Sequence, residues 1–380
     1  MNTQFCSKVT YRPDWNHRRE PIRPIELRVL NFDMLYDWDN IWYDAVQVNP
    51  TTVLLIGPPL YNTKEFIINN SYFTCGYNIV PYHFVELDRV CITVLTVENW
   101  TNSICMVARG QPIQILVARS QTDFQDQKTI VTISRDHPIQ WLLQWIDYHK
   151  IVHGITGFLI YNNNSNQYSS EELQLAIQRD DMTIRVVDWP YPFGVMGGGL
   201  WEDNGRSGTF LPWDSDFSQY VMLEHAKYRY LYCAELAINA DTDELLLIKD
   251  CSLDNISIQL KNSENGVLRY TGVWIEPVGS YTNNNACDIP FNDRKFKDYY
   301  STCYNNQRGI GIKWMLNPQK TLGIQWKLHD VGSNSITTTI TFGHFLAMNT
   351  GWSYVRDVFN GDINDLVELN ILKEHFDRWI

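Results

Sequence analysis

Asp241-Thr242-Asp243-Glu244 separates two hydrophobic runs, AELAINA (234–240) and LLLI (245–248). Three carboxylates between two segments that read as buried call for a reason. An apolar run that ends in acids has the form of a strand whose carboxyl end opens onto a site, and open α/β sheets bind ligands at that end. If the strand geometry continues, Asp241 and Asp243 point the same way and Glu244 points opposite. Two converging carboxylates repel unless a cation sits between them. Oxygen ligands suit Mg²⁺ or Mn²⁺, which take few carboxylates and complete their shells with substrate phosphates. The chemistry suggested is a divalent-metal site for a diphosphate. The bland alternative is an acidic turn between two strands, and a lone D-x-D motif discriminates weakly between the two.

Other chemistry-bearing residues narrow the field. The eight cysteines form no C-x-x-C pair, so zinc-site spacing is absent. Gly197-Gly198-Gly199 lacks both the G-x-G-x-x-G and the P-loop spacing and reads as a flexible segment, one that could close over a ligand. Asn69, Asn99, Asn163 and Asn255 stand in N-x-S/T sequons, expected by chance in an Asn-rich chain.

The elements that must position the acids are legible around them. KTIVTI (128–133) is a continuous apolar strand. PIQWLLQWIDYHKIVHG follows with apolar residues at helical spacing, and Gly154 ends it. GFLIY (157–161) is a second strand and SSEELQLAIQ (169–178) a helix capped by Ser169 or Ser170. TIRVVDW (183–189) is a third strand, and a polar, Gly-rich segment spans 194–216. FSQYVMLEHAKYRYLYCAE is a helix that leads into the acid-bearing strand. Strand and helix alternating at this spacing predict an α/β unit with a parallel sheet. Upstream, TTVLLIG, SYFTCGYNIV, VCITVLTV, SICMVARG and IQILVA are short β-type runs without helical period. The reading is a charged, Pro-rich N-terminal arm (1–24), a β-rich accessory domain of sandwich type (25–122), and an α/β domain (123–380). The tail DINDLVELNILKEHFDRWI reads as an amphipathic helix packed on the α/β domain.

The chain of 380 residues carries a formal net charge of −12, which repels phosphate backbones and argues against a nucleic-acid partner. No run of about 18 apolar residues is present, so no membrane span is expected. The N-terminus lacks the apolar core of a signal peptide. The expectation is a cytoplasmic enzyme, virus-encoded, or a trimmed form of a secretory-pathway one.

Five stretches, in order, resemble the family 92 glycosyltransferases and their family-2-like relatives. TIVTISRDHPIQWLLQWIDYHKIVHGITGFLIYNNNS is similar to that family's opening strand, its E-W-x-x-Y-H helix and its Y-D-N-N-S strand end. VVDWPYPF resembles the next strand and W-P turn. FSQYVMLEHAKYRYLYCAELAINADTDELLLI resembles the block that ends in D-x-D-E. KWMLNPQKTLGIQWKLHDV and FGHFLAMNTGW resemble two late segments, each carrying a histidine. The β-rich region is similar to the accessory domain of some plant members. Three positions depart from the pattern: Asn162 stands for the family's Asp, Leu346 for a second His, and no G-S-S-G loop is found around RYTGVWIEP (269–277).

The resemblance implies a GT-A fold, α/β and Rossmann-like, and transfer of a sugar from a nucleotide sugar, a UDP-sugar by expectation, to a glycan hydroxyl. It implies Mn²⁺ or Mg²⁺ on Asp243, with Asp241 on the donor sugar or ribose, or on a metal-bound water. His329 and His344 are the candidates for a further ligand, and imidazole favours Mn²⁺. Arg135 and Asp136 follow the first strand, where the nucleotide should lie. Asn162 and Asn164 could read a uracil edge, or simply form a turn. Trp189 reads as floor or core. Arg308, Lys313 and Lys320 could neutralise a leaving diphosphate, although solvated surface is the simpler reading of each. Inversion is implied, which calls for one base, and Glu276 is the candidate, with Asp288 next. Two rivals remain: a glycan-binding protein on a degenerate transferase scaffold, and a nucleotidyltransferase, for which no triphosphate cradle is visible.

Overall fold

A computed structural model describes residues 6–98, 100, 103–196, 213–280, 282, 284–303, 311–329, 331, 336–350 and 358–379, with backbone alone for 336–339. Gly197–Gly199, Asn99 and Arg308 lie outside the described residues.

The α/β part starts with β1 (Lys128–Ser134), α1 (Ile139–His153), β2 (Gly157–Asn162), α2 (Ser170–Ile177) and β3 (Thr183–Asp188). Each follows from its local chemistry. Gly154 closes α1 at φ 69°, a conformation open to glycine without a Cβ penalty. Ser169 and Glu172 cap the start of α2 reciprocally, as a capping box. Next come α3 (Phe217–Ala226), β4 (Leu236–Asn239), β5 (Glu244–Ile248), α4 (Leu253–Asn262) and β6 (Val267–Ile275). β7 (Ile312–Leu316), β8 (Ile336–Phe345) and α5 (Asn370–Arg378) complete it. The helix expected over 217–235 is shorter: after Ala226 the chain widens into a π turn, Lys227–Leu231.

These strands form one eight-stranded sheet in the order β3-β2-β1-β4-β7-β6-β8-β5. β3, β2, β1 and β4 run parallel, as do β6 and β8, while β7 and β5 pair antiparallel with their neighbours. Side chains alternate between two cores. Ile130, Phe158, Ile160, Val186 and Ile238 meet Trp141, Leu142 and Trp145 of α1 on one face. Val131, Ile133, Leu159, Tyr161 and Ala237 meet α3 on the other, together with Val46, Leu54 and Ile56 from the β-rich region.

The β-rich region holds a five-stranded and a four-stranded sheet. A third core, including Val53, Leu55, Phe73, Ile104 and Met106, joins them face to face. The charged N-terminal segment is built into the body. Val9–Thr10 pairs with Asn40–Trp42, and Trp15 is buried. The Arg19 guanidinium is fully buried and donates to the carbonyls of Pro59, Asp37 and Asn40 at 2.5–2.6 Å, which offsets its desolvation.

The C-terminal tail packs on the α/β core as expected, but its helix is only Asn370–Arg378. Leu366–Glu368 instead forms a strand with Ser301–Cys303. Among the described residues no helix is long and apolar enough to cross a membrane.

Candidate active site

Asp241 and Asp243 do not lie on a strand, and Glu244 opens β5. β4 stops at Asn239, and residues 241–244 form a turn closed by the Glu244 N–H on the Asp241 carbonyl, 3.1 Å. The turn sits at the carboxyl end of the parallel strands, where β4 lies beside β1. It also corrects the expected orientation of Glu244. Instead of pointing away, the Glu244 carboxylate returns to the Asp241 N–H at 2.9 Å. Trp145 of α1 donates to the Glu244 carbonyl, and Phe345 of β8 to the Asp243 carbonyl, so the turn is held from both sides.

His344 lies opposite Glu244 in the antiparallel β5–β8 register. Its Nε2 is 3.3 Å from Asp243 Oδ2 and its Nδ1 3.3 Å from Glu244 Oε1. The Trp274 ring flanks it at 4.4 Å between centroids. Burial alone would lower the His344 pKa, but the Asp243 and Glu244 carboxylates outweigh it and raise it to about 10. Burial would raise the Asp243 carboxyl, but His344, His137 and Lys313 hold it down at about 2. Burial, reinforced by Asp241, pushes Glu244 up against the pull of Lys313 and His344.

Lys313, expected on the solvated surface, is buried. Its Nζ lies 2.7 Å from Asp241 Oδ2 and 3.2 Å from Glu244 Oε2. Burial lowers its pKa, and the two carboxylates more than restore it. Lys320 instead donates to the Ser263 carbonyl on the surface, 2.6 Å.

His137 was not singled out in the sequence. Its Nδ1 is 3.1 Å from Ser134 Oγ and its Nε2 shares a 2.9 Å hydrogen bond with Thr242 Oγ1, linking the end of β1 to the middle of the acid turn. Burial lowers its pKa against the opposing pull of Asp243, Asp241 and Asp136. The signal was present: a histidine three residues past the end of an apolar strand.

His329 Nδ1 donates to the Ile312 carbonyl at 3.1 Å. Burial and the neighbouring Lys313 charge lower its pKa to about 4. Of the two late histidines, His344 is the one the structure sets against Asp243.

The residues expected around the nucleotide are mostly committed to the scaffold. Asn162 is buried, donates to Ser170 Oγ and accepts from Ser165 Oγ. Asp136, at φ 56°, accepts from the backbone N–H groups of Asn166 and Gln167, which pins the loop after β2. Asn164 donates to the Tyr191 carbonyl. Arg135 is half-buried, with Nε 3.8 Å from Asp136 Oδ2. Trp189 is core, as expected. Glu276 follows β6, is buried, and donates its N–H to the Ser301 carbonyl at 2.9 Å. Asp288 is exposed, at the end of a single 3₁₀ turn.

A divalent ion fits this donor set. Two ligand atoms each about 2.1–2.2 Å from an octahedral ion, at right angles, lie about 3.0 Å apart. Asp243 Oδ2 and His344 Nε2 are 3.3 Å apart on a surface that stays partly open, at 13% and 16% side-chain exposure. Elsewhere, Cys6, Asp44 and His225 bring ligand atoms within 4.8 Å of one another. There Arg229 pairs with the same Asp44 oxygen that faces His225, so the charge is balanced without an ion.

The chain was compared with known proteins. No curated protein matches it. Among solved structures it is similar to the apo form of the bifunctional glycosyltransferase WbbM, at 11% identity and TM-score 0.28, over 61% of this chain and 36% of that one. It is similar to HddC from Yersinia pseudotuberculosis at 9% identity and TM-score 0.27, over 66% and 98%. It is also similar to the galactosyltransferase LgtC in complex with donor and acceptor sugar analogues, at 12% and 0.23, over 51% and 59%. It thus spans about a third of the length of WbbM and under two thirds of that of LgtC. The model of glycosyltransferase family 92 matches residues 135–362, which include the acid turn, Lys313, His329 and His344. That match covers more than half of the chain. The α/β region is a mostly parallel, mixed sheet whose parallel strands end at an acidic turn, and the chain belongs to glycosyltransferase family 92.

Proposed function

We propose that this glycosyltransferase is metal-dependent and inverting, and that it moves a hexosyl or pentosyl residue from a UDP-sugar to a hydroxyl of a glycan. The observation that carries the reading is the pairing of Asp243 with His344 at the carboxyl end of the parallel strands. An acid on the turn and an imidazole on β8, held 3.3 Å apart and partly open, make a two-point holder for Mn²⁺ or Mg²⁺. Asp241, fixed by Lys313, would then face the donor sugar or ribose rather than share the ion. When bound, the ion would act as a Lewis acid on the leaving diphosphate.

The protein groups do the rest. Arg135 stands at the end of β1 within reach of a donor phosphate. Asn164 and Asn162 would shape the edge where the base would lie, and since Asn162 is buried with both its amide nitrogen and its oxygen engaged, Asn164 is the better candidate to read it. Inversion requires a single displacement: the acceptor oxygen bonds the anomeric carbon as the bond to the diphosphate oxygen breaks on the opposite face. One carboxylate must take the acceptor proton, within hydrogen-bond reach of that oxygen. Glu276 is the better placed of the two candidates. It directly follows Ile275, which pairs with Phe345 beside His344. Asp288 is the alternative base. The β-rich region is read as an accessory domain.

The test is a donor screen with UDP-sugars, with Mn²⁺ and with EDTA, followed by NMR of the product's anomeric configuration. Turnover that needs the metal and inverts the anomer supports the reading. Retention of configuration, or full turnover in EDTA, overturns it. Glu276→Gln should lower kcat at least a hundredfold with little change in donor KM.

A further inference from the structure

Glu244 is buried, yet it carries a carboxylate that no substrate can reach. Both of its oxygens are used. Oε2 accepts from the Asp241 N–H at 2.9 Å and lies 3.2 Å from Lys313 Nζ. Oε1 faces His344 Nδ1 at 3.3 Å. The register explains the last contact: Glu244 and His344 are directly opposed on β5 and β8, and opposed residues of an antiparallel pair have neighbouring Cβ atoms. His344 therefore has one ring nitrogen on Glu244 and the other, Nε2, toward Asp243. Trp274 lies against the ring and limits its rotation.

We propose that Glu244 is the positioning residue that orients His344, fixing the Nδ1–H tautomer so that Nε2 faces the metal, with Lys313 and the Asp241 N–H holding Glu244 in turn. This rests on the metal reading above and goes beyond it by naming which imidazole nitrogen binds and what selects it. Metal-binding histidines characteristically donate their other N–H to a carboxylate or carbonyl, and losing that acceptor weakens metal binding ten- to a hundredfold. The arrangement also accounts for Lys313. A carboxylate placed behind the imidazole would be costly to bury alone, and the ammonium shared with Asp241 offsets that cost.

The experiment is Mn²⁺ titration of the whole protein with pulsed EPR, which detects the ¹⁴N of a bound imidazole. Wild type should bind Mn²⁺ with imidazole coupling, and His344→Gln should lose the coupling. Glu244→Gln, of the same shape, should keep the wild-type near-UV circular dichroism, bind Mn²⁺ at least tenfold more weakly and show a weaker or altered coupling. Equal affinity and coupling in Glu244→Gln would overturn the proposal while leaving the metal reading intact. Coupling that survives in His344→Gln and vanishes in His329→Gln would overturn it too. No Mn²⁺ binding by wild type would instead sink the metal reading. Should Glu244→Gln fail to fold, wild type decides. With Cd²⁺ bound, long-range ¹H–¹⁵N correlation of ¹⁵N-histidine protein should show His344 protonated at Nδ1 and metallated at Nε2, and the reverse pattern would refute the proposal.

Discussion

Lys313 Nζ lies 2.7 Å from Asp241 Oδ2 and 3.2 Å from Glu244 Oε2, a buried cation between two acids of one turn. Together with His344, which touches Asp243 and Glu244, it makes an alternating row of charges: Asp241, Lys313, Glu244, His344, Asp243. The row separates the two aspartates by partner. Asp241 is taken by a fixed ammonium, and Asp243 by an imidazole that can give its proton up.

Removing Lys313 should expose the cost of that row. Lys313→Met removes one of the two cations that face the buried Glu244 and leaves only His344, and breaking a buried pair on one side costs up to about 3–5 kcal/mol. Glu244→Gln in the same chain removes the stranded charge and should restore at least about 1 kcal/mol. Urea unfolding of the two single variants and the double variant measures this coupling. Strict additivity would mean that the two groups do not interact.

Metal binding should release a proton. The Asp243 and Glu244 carboxylates outweigh burial and hold the His344 pKa at about 10, so the ring is charged at neutral pH, and a ligand imidazole must be neutral. Mn²⁺ affinity should therefore rise about tenfold per pH unit between 6 and 9. At pH 7.5 close to one proton should leave per ion, read by calorimetry in buffers of different ionisation heat. Zero release would contradict His344 as the ligand.

Thr242→Val should loosen the turn without changing its charge. The Thr242 hydroxyl is buried on His137 at 2.9 Å, and losing one such bond costs about 1 kcal/mol. The account predicts a small drop in the unfolding midpoint and a larger fractional loss of Mn²⁺ affinity. An unchanged affinity would show that the link from β1 to the turn is only structural.

Acid should destabilise the fold well before the carboxylates titrate. Burial lowers His149 to about 3, and His153 in the same direction. Burial and Arg378 lower His375 to about 4. These rings are neutral in the folded protein and near 6.5 unfolded, so their stabilisation is complete above 6.5 and is lost as pH falls toward 3–4. Each contributes a slope of up to about 1.4 kcal/mol per pH unit in that window. The thermal midpoint should fall between pH 7 and 5, and less steeply in His149→Gln. A flat profile over that range would contradict the neutral assignment.

Much of this was legible in the sequence, and the parts that were not share a cause. β1 to β3, α1 and α2 announce themselves by apolar period and by local caps, Gly154 and the Ser169–Glu172 box. The acids were legible as a break between two apolar runs, but not in the shape of the turn they form. The bond from Glu244 N–H to the Asp241 carbonyl resets strand alternation, so parity counted along the chain put Glu244 on the wrong side. Lys313 looked like a surface residue because a single lysine in IKWML is also what a half-exposed strand shows, and its partners lie some 70 residues earlier in the chain. Asn162 and Asp136 were read toward the nucleotide because their partners, Ser165, Asn166 and Gln167 of a polar loop and Ser170 at the start of α2, are set by a path that sequence alone does not give. The charged N-terminal segment read as an arm, and its Arg19 donates to the carbonyls of Pro59, Asp37 and Asn40, contacts that sequence alone does not give.

The central claim is that Asp243 holds a metal that in turn holds the donor diphosphate. It is tested most directly by calorimetric titration of UDP into wild type and Asp243→Ala, each with Mn²⁺ and with EDTA. The account predicts binding by wild type with Mn²⁺, loss of that binding in EDTA, and loss in Asp243→Ala at unchanged thermal stability in the absence of metal. UDP binding of equal strength in all four titrations would contradict it.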